Sequence, residues 1–328
     1  MVDETIDWPE ELLEGLQTRH GDLLGVDRLA GWTVAQVWLA RFEDGTRLVV
    51  KGTTSRVEPA FYESVAPRLR AAGVGIPELL GHLEHEGRHW LVLEHLPLPF
   101  EAAPSGDWRP DAGVVSTLVR LHALTPGREF DLPATGAGRW TPEMTTACLT
   151  MFPAEVATRL APTLREFESR AAELAQPWCW ISGDPSPPNW GRRADGTLAL
   201  FDWELFRPGI PATDLAITVP GLPSREMFAL AAEAYLACLS GERGAAQGTS
   251  IADEPARSLP VAALTGLPCS SEELVEQMCV AKVGTVVAML AAQATGRARV
   301  PEATVRMLME SVPAWLETLH TPYSPSPR

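Results

Sequence analysis

The sequence predicts an α+β fold in two lobes, a small β-rich N-terminal lobe over 1–96 and a larger, mostly helical C-terminal lobe over 97–328. Three observations lead there. Short apolar runs bounded by turn residues, such as Leu48-Val49-Val50 and Trp90-Leu91-Val92-Leu93, crowd the first hundred residues, which is how strands in hairpins read. From Val114 onward, apolar residues recur mostly at helical spacing. One hairpin signal, the turn Ala194-Asp195-Gly196 between two apolar runs, interrupts the helical part. A chain of 328 residues is long enough for two such lobes.

Each element follows from its own residues. A helix is expected over 8–19, with Pro9 near its start and the acids Glu10 and Glu11 in its first turn. Val34–Phe42 and Leu48–Lys51 form strands around the turn Glu43-Asp44-Gly45, so Lys51 ends a strand beside buried residues. Ala30-Gly31-Trp32-Thr33 is a turn between strands. Pro59 opens a helix that runs to Ala72 and stops before Gly73, and Pro67 is expected to kink or split it. Ile76–Leu83 and Trp90–Glu94 pair across Glu84–Arg88, and Glu94-His95-Leu96-Pro97 closes the β-rich part. Leu98–Asp111, rich in Pro, Gly and Asp, reads as a linker. Helices are expected over Val114–Ala123, 154–175 and Met227–Leu239, with His122 read as a core histidine. Ser240–Leu259 reads as a loop. Ser270 with Glu273 is a capping-box start for a helix over Ser271–Thr295, and Glu302–Leu319 is the last helix before a frayed tail. Asp214, before Leu215-Ala216-Ile217, reads as a helix N-cap.

Composition narrows the partners. A net charge of −15 argues against nucleic acid and against an anionic membrane surface. The acidic start is unlike a targeting peptide, and the apolar stretch Val286–Ala292 is too short to span a bilayer. Five cysteines, none in a Cys-x-x-Cys pair, fit free thiols in a reducing cytoplasm. Of 27 basic residues only Lys51 and Lys282 are lysine, so each marks a place where arginine does not serve.

The chemistry concentrates in 182–204. The run Trp178–Ile181 reads as a short buried strand that stops at Gly183. Asp184 to Asn189 holds Pro185, Pro187 and Pro188, which makes it a stiff loop. The following hairpin, Trp190–Arg193 and Thr197–Phe201, delivers Asp202 at its end. Asp184, Asn189 and Asp202 thereby converge as two carboxylates and one amide oxygen, hard ligands suited to Mg²⁺ alongside phosphates. A base, a metal-holding Asn and a metal-holding Asp are the parts of a phosphoryl-transfer site. Glu58 and Glu63 are the acids available to pair with Lys51, and Glu58 is preferred.

Together these segments resemble the aminoglycoside phosphotransferase (APH) family of small-molecule kinases, relatives of choline kinase and homoserine kinase. The resemblance spans about 22–240 and rests on Leu48-Val-Val-Lys51, Glu58, Leu91-Val-Leu-Glu-His-Leu-Pro97, Leu118-Val-Arg-Leu-His-Ala123, Ser182-Gly-Asp-x4-Asn189, Phe201-Asp-Trp-Glu204 and Asp214-Leu-Ala216. It implies a protein-kinase-like fold with a nucleotide-binding lobe over 1–96, and an acceptor site with a catalytic loop at 182–204 in the helical lobe. It implies ATP, with GTP as the alternative, and Mg²⁺. By resemblance Lys51 binds the phosphates and is oriented by Glu58; Glu94, His95 and Leu96 form the hinge holding adenine; Asp184 is the base; Asn189 and Asp202 hold the metal; Asp214 is structural. Glu204 lies near the metal without an assigned role. The implied partner is a small-molecule hydroxyl acceptor, aminoglycoside-, choline- or sugar-like, and the protein a monomer or homodimer. The family pattern has His-Gly-Asp where this chain has Ser182-Gly183-Asp184. That departure motivates the alternative of a nucleotide-binding regulator without turnover.

Overall fold

The computed structural model describes residues 7–29, 36–101, 108–135, 139–174, 176–248, 270–298 and 300–320. The opening helix α1 (Glu10–His20) leads into a five-stranded antiparallel sheet built from β1 (Leu23–Arg28), β2 (Gln36–Phe42), β3 (Arg47–Thr53), β4 (Leu79–His85) and β5 (Arg88–Glu94). The order across the sheet is β1-β2-β3-β5-β4. Lys51 sits on the central strand β3, opposite Val37 on β2 and Leu91 on β5. Strand side chains alternate between faces. Leu48 and Val50 therefore turn to the outer face, where Trp38, Phe42 and Trp90 pack under Trp8, Leu12 and Leu16 of α1. Val49 and Lys51 share the opposite face, which meets the larger core.

Between β3 and β4 the chain forms α2 (Val57–Ala60), a π-helical turn (Phe61–Val65) and α3 (Ala66–Ala71). The expected split at Pro67 is present: proline has no N–H to donate into the turn below, and the helix is wound wide just before it. The expected linker Leu98–Asp111 contains a short strand, β6 (Leu98–Pro99), and ends on Asp111, whose carboxylate accepts from the amides of Gly113 and Val114 to cap α4 (Ala112–Leu124). Then come α5 (Pro142–Leu149), α6 (Ala154–Glu173), β7 (Cys179–Ile181), β8 (Trp190–Arg192), β9 (Leu198–Leu200), β10 (Arg207–Gly209), α7 (Pro211–Thr218), α8 (Arg225–Gly248), α9 (Ser271–Ala294) and α10 (Glu302–His320). β8 and β9 are the expected hairpin, with Gly196 at φ 87° in its turn, and β6 adds to its edge. Ser270 caps α9 by accepting from the amide of Glu273, 3.1 Å away.

Three expectations change. The loop placed at Ser240–Leu259 begins later, because α8 continues to Gly248 through the helix-favouring run Ala245-Ala246-Gln247; 249–269 lie outside the described residues, as do the turn at 30–33 and the tail from 321. Helix α5 had no counterpart in the sequence reading. Helix α9 is long and apolar enough to cross a membrane by length and composition, contrary to the apolar stretch measured on the sequence. It is a core helix here, with Leu274, Met278, Val283, Val287 and Leu290 buried among the C-terminal helices.

Candidate active site

Lys51 lies 151 positions before Asp202 in the chain, and the fold brings their side chains together. Its Nζ is 2.6 Å from Glu58 Oε2 and 2.7 Å from Asp202 Oδ1. Glu58 is fully buried, and Oε1 accepts from the backbone amide of Trp203 at 3.3 Å. Burial alone would lower the Lys51 pKa, but the charges of Glu58 and then Asp202 outweigh it and hold the ammonium above the ordinary lysine range. The acid at 63 takes a different partner: its Oε1 lies 2.7 Å from His82 Nδ1, which leaves Glu58 as the partner of Lys51.

Asp202 itself has φ 65°, a left-handed backbone that non-glycine residues rarely adopt. It is held there from both sides. β9 ends two residues earlier, and Trp203 is buried face to face on Phe61, centroids 4.3 Å apart with planes 12° apart, its Nε1–H donating to Leu200 O. Sequence reasoning gave Trp203 no role, although its place beside Asp202 was a signal.

The loop after β7 carries the second half of the site. Asn189 Nδ2 donates to Asp184 Oδ2 at 3.1 Å and to Asp184 O at 2.9 Å. Its Oδ1 has no protein partner among the described residues. Burial pushes the Asp184 pKa up; hydrogen bonds from Ser186 oppose this, and the charge of Asp202 adds to it. Glu204 joins the same electrostatic cluster: burial and then the negative charge of Asp202 push its pKa up to about 7, against the pull of Lys51. Four carboxylates, Glu58, Asp184, Asp202 and Glu204, share this cluster with one ammonium, so it has room for added positive charge. Among the described residues no three His, Cys, Asp or Glu side chains form a self-sufficient metal cage. Asn189 and Asp202 offer the one or two protein ligands magnesium takes when phosphate oxygens and water complete its shell, so the donor set fits.

Asp214 is not a helix cap. It lies inside α7, fully buried, and its two oxygens accept from the amides of Ser182 (2.8 Å) and Gly183 (2.9 Å). His122 Nε2 lies 3.1 Å from Asp214 Oδ2 and His122 Nδ1 lies 3.1 Å from Tyr235 Oη. The core histidine thus backs the carboxylate that pins the loop leading to Asp184. Gly183 is required in that loop: it has φ +87°, and a Cβ there would stand 2.4 Å from Leu205 O. Ser182 Oγ is buried without a partner, so the serine makes no brace of its own through its side chain.

At the expected hinge, the Glu94 side chain is held by protein groups: its oxygens accept from Arg193 Nε (2.6 Å), Arg193 Nη2 (2.9 Å) and Glu78 N (3.1 Å). Leu96 packs against Gly191, whose absent Cβ would lie 2.8 Å from Leu96 Cδ1. His95 is half-buried, and burial followed by the charge of Arg47 lowers its pKa.

The model of the phosphotransferase enzyme family (APH) matches residues 28–247, about two thirds of the chain. The chain belongs to that family. No curated protein matches it at a significant level. Solved structures similar to this APH-family chain include a thermostable mutant of aminoglycoside phosphotransferase APH(4)-Ia in complex with ADP and hygromycin B, at 13% identity, TM-score 0.57, covering 95% of this chain and 99% of that one. Spectinomycin phosphotransferase APH(9)-Ia with ADP and spectinomycin matches at 12% identity and TM-score 0.57, covering 94% and 97%. Choline kinase LicA from Streptococcus pneumoniae matches at 14% identity and TM-score 0.54, covering 94% and 98%. The α+β fold is therefore that of the kinase-like phosphotransferases.

Proposed function

We propose that this chain transfers the γ-phosphoryl group of ATP to a hydroxyl of a small molecule. The observation that carries this reading is the double contact of Lys51 Nζ, 2.6 Å from Glu58 and 2.7 Å from Asp202, in one cluster with Asp184 and Asn189. Structures similar to this chain hold ADP with hygromycin B or spectinomycin, which supports a nucleotide and a small acceptor here.

The work of each residue follows from its place. Lys51, kept ionised by two carboxylates, binds phosphate oxygens, and Glu58 fixes its direction. Asn189 holds the Asp184 carboxylate toward the acceptor. The acceptor oxygen attacks the γ-phosphorus as the bond to the departing ADP oxygen breaks, and the hydroxyl proton passes to Asp184. Asn189 and Asp202 would hold magnesium, which supplies charge neutralisation on the phosphates when bound. Ser182 does not favour the regulator without turnover, since the loop is pinned through backbone amides by Asp214 and not through the residue at 182. Mg²⁺-dependent ADP release across an alcohol panel tests the function. Asp184→Asn should lower kcat by about two orders of magnitude while leaving nucleotide binding unchanged; wild-type turnover in that variant removes Asp184 from the mechanism.

A further inference from the structure

Arg207 lies on β10 opposite Ile181 of β7, the strand that leads towards Asp184. Among the described residues it has no ion pair, and its one hydrogen bond runs from Nη1 to Leu205 O at 3.0 Å. The side chain is half-buried; burial lowers its pKa, and the charge of Asp214 opposes this. A charge drawn out of water is unfavourable unless it is paired. One bond to a carbonyl two residues away leaves the other N–H groups of the guanidinium without a protein acceptor there, so it does not explain the placement. What the guanidinium touches does. A Cβ built on Gly183 would stand 2.4 Å from Leu205 O, 2.5 Å from Arg207 Nη1 and 2.7 Å from Leu205 Cβ, so both residues are seated against that face of the glycine. The amide of the same glycine donates to Asp214 Oδ1 at 2.9 Å. The hydroxyl of Ser182 adds no hydrogen bond to this hold. Gly183, the residue before the proposed base, is thus bonded to an anion through its N–H and covered by a cation over its Cα.

We propose that Arg207 is a positioning residue for phosphoryl transfer: seated against Gly183, it fixes Asp184 in relation to Asp202. This rests on the phosphotransferase reading above and deepens it. Leu205 and Arg207 belong to the segment that leaves Asp202, and Gly183 directly precedes Asp184. Their contact is therefore a short path by which the carboxylate at 202 sets the place of the base at 184. A misplacement of about 1 Å costs on the order of a hundredfold in rate, which is the loss the contact prevents. The competing role is a counter-charge for buried Asp214, which any cation at 207 would fill. Seating against Gly183 needs the planar guanidinium, since an ammonium carries the charge without the flat fork.

The test uses the whole protein with Arg207→Met, which keeps an unbranched stem, and Arg207→Lys, which keeps the charge. Turnover is measured with ATP, Mg²⁺ and the alcohol that gives the most ADP release in the wild type, well below each variant's melting temperature. The Kd for AMP-PNP with Mg²⁺ and the deuterium uptake of peptides covering 181–186 are read alongside. The expected result is a kcat at least about tenfold lower in both variants. KM for ATP and the Kd for AMP-PNP should stay within about threefold of wild type, and amide exchange at 182–184 should be at least about tenfold faster. A merely structural role would lower the melting temperature and leave kcat of the folded variant unchanged. An unchanged kcat in either variant overturns the proposal, and in Arg207→Lys it makes the residue a counter-charge for Asp214. A KM or Kd raised as far as kcat falls makes Arg207 a binding group and overturns it too. If Arg207→Met has no cooperative melt, Arg207→Lys decides alone. A wild type that releases no ADP with any alcohol is a different failure, that of the phosphotransferase reading. Exchange at 182–184 then decides Arg207, and an unchanged rate in the variants overturns its hold on the loop.

Discussion

Asp214 concentrates more constraint than any other side chain near the site. It is fully buried, accepts from two consecutive backbone amides, and is backed by His122 and through it by Tyr235. Asp214→Asn keeps the volume but replaces one acceptor oxygen with an NH₂ that faces a donor. The variant should lose roughly 2–5 kcal/mol in denaturant unfolding, and kcat should fall more than nucleotide affinity because Ser182 and Gly183 set the position of Asp184. An N-capping role would give about 1 kcal/mol and no kinetic effect. From sequence, the residue was recognisable as structural only by resemblance, since its local setting before Leu215-Ala216-Ile217 reads as a cap. Its partners come from positions 31, 32 and 92 residues away, and no local pattern reports contacts of that range. Lys51, Asp184, Asn189 and Asp202 were legible for the opposite reason: each sits in a short segment whose turn, proline or strand chemistry declares the backbone around it.

At the scale of elements, the link between the sheet and the β8–β9 hairpin is made by side chains. Glu94 at the end of β5 accepts from Arg193, just past β8, and from the amide of Glu78, while Arg193 Nη2 donates to Ile76 O at 3.0 Å. Burial pushes the Glu94 pKa up, but the Arg193 hydrogen bonds, the Glu78 amide and the Arg193 charge outweigh it and leave the pKa below its usual 4.5. A carboxylate whose folded-state pKa is depressed adds stability that is present above 4.5 and lost as pH falls through the folded value. Glu94→Gln should therefore lower stability by about 2 kcal/mol at neutral pH, and its stability should fall less steeply than the wild type's below pH 4.5. Its Kd for AMP-PNP should stay within about threefold of wild type, since each 1.4 kcal/mol is a tenfold change and the side chain points at Arg193. A large loss of nucleotide affinity with an unchanged acid limb would mean that the Glu94 side chain itself contacts the nucleotide. The strands on either side of this link were legible as alternating or apolar runs; the link was not, because a Glu–Arg pair 99 residues apart leaves no local trace.

Over the whole molecule, two cores divide the sheet between them. The outer face closes under α1 through Trp8, Leu12 and Leu16, a small cluster within the first hundred residues. The inner face does not close within 1–96. Leu91 and Leu93, with Phe61, Tyr62, Val65 and Ile76 from the segment beside them, belong to one continuous core with Trp203, Phe206 and the C-terminal helices. Burying a large apolar side chain contributes about 1.5–3 kcal/mol, so these six together contribute on the order of 10 kcal/mol, comparable to the whole stability of a typical domain. Fully buried Glu58 would also lose the Trp203 amide it accepts from. A fragment of residues 1–96 should accordingly fail to fold alone. Its proton–nitrogen spectrum should be collapsed or broadened by association, and its far-UV circular dichroism should show no cooperative melt. In the intact chain, tryptophan fluorescence and circular dichroism should report one shared transition, because the larger core crosses the boundary that the sequence marks at 96. A well-dispersed spectrum from the fragment would mean that the outer core under α1 suffices, and that the nucleotide lobe is a domain which docks onto the helices after folding.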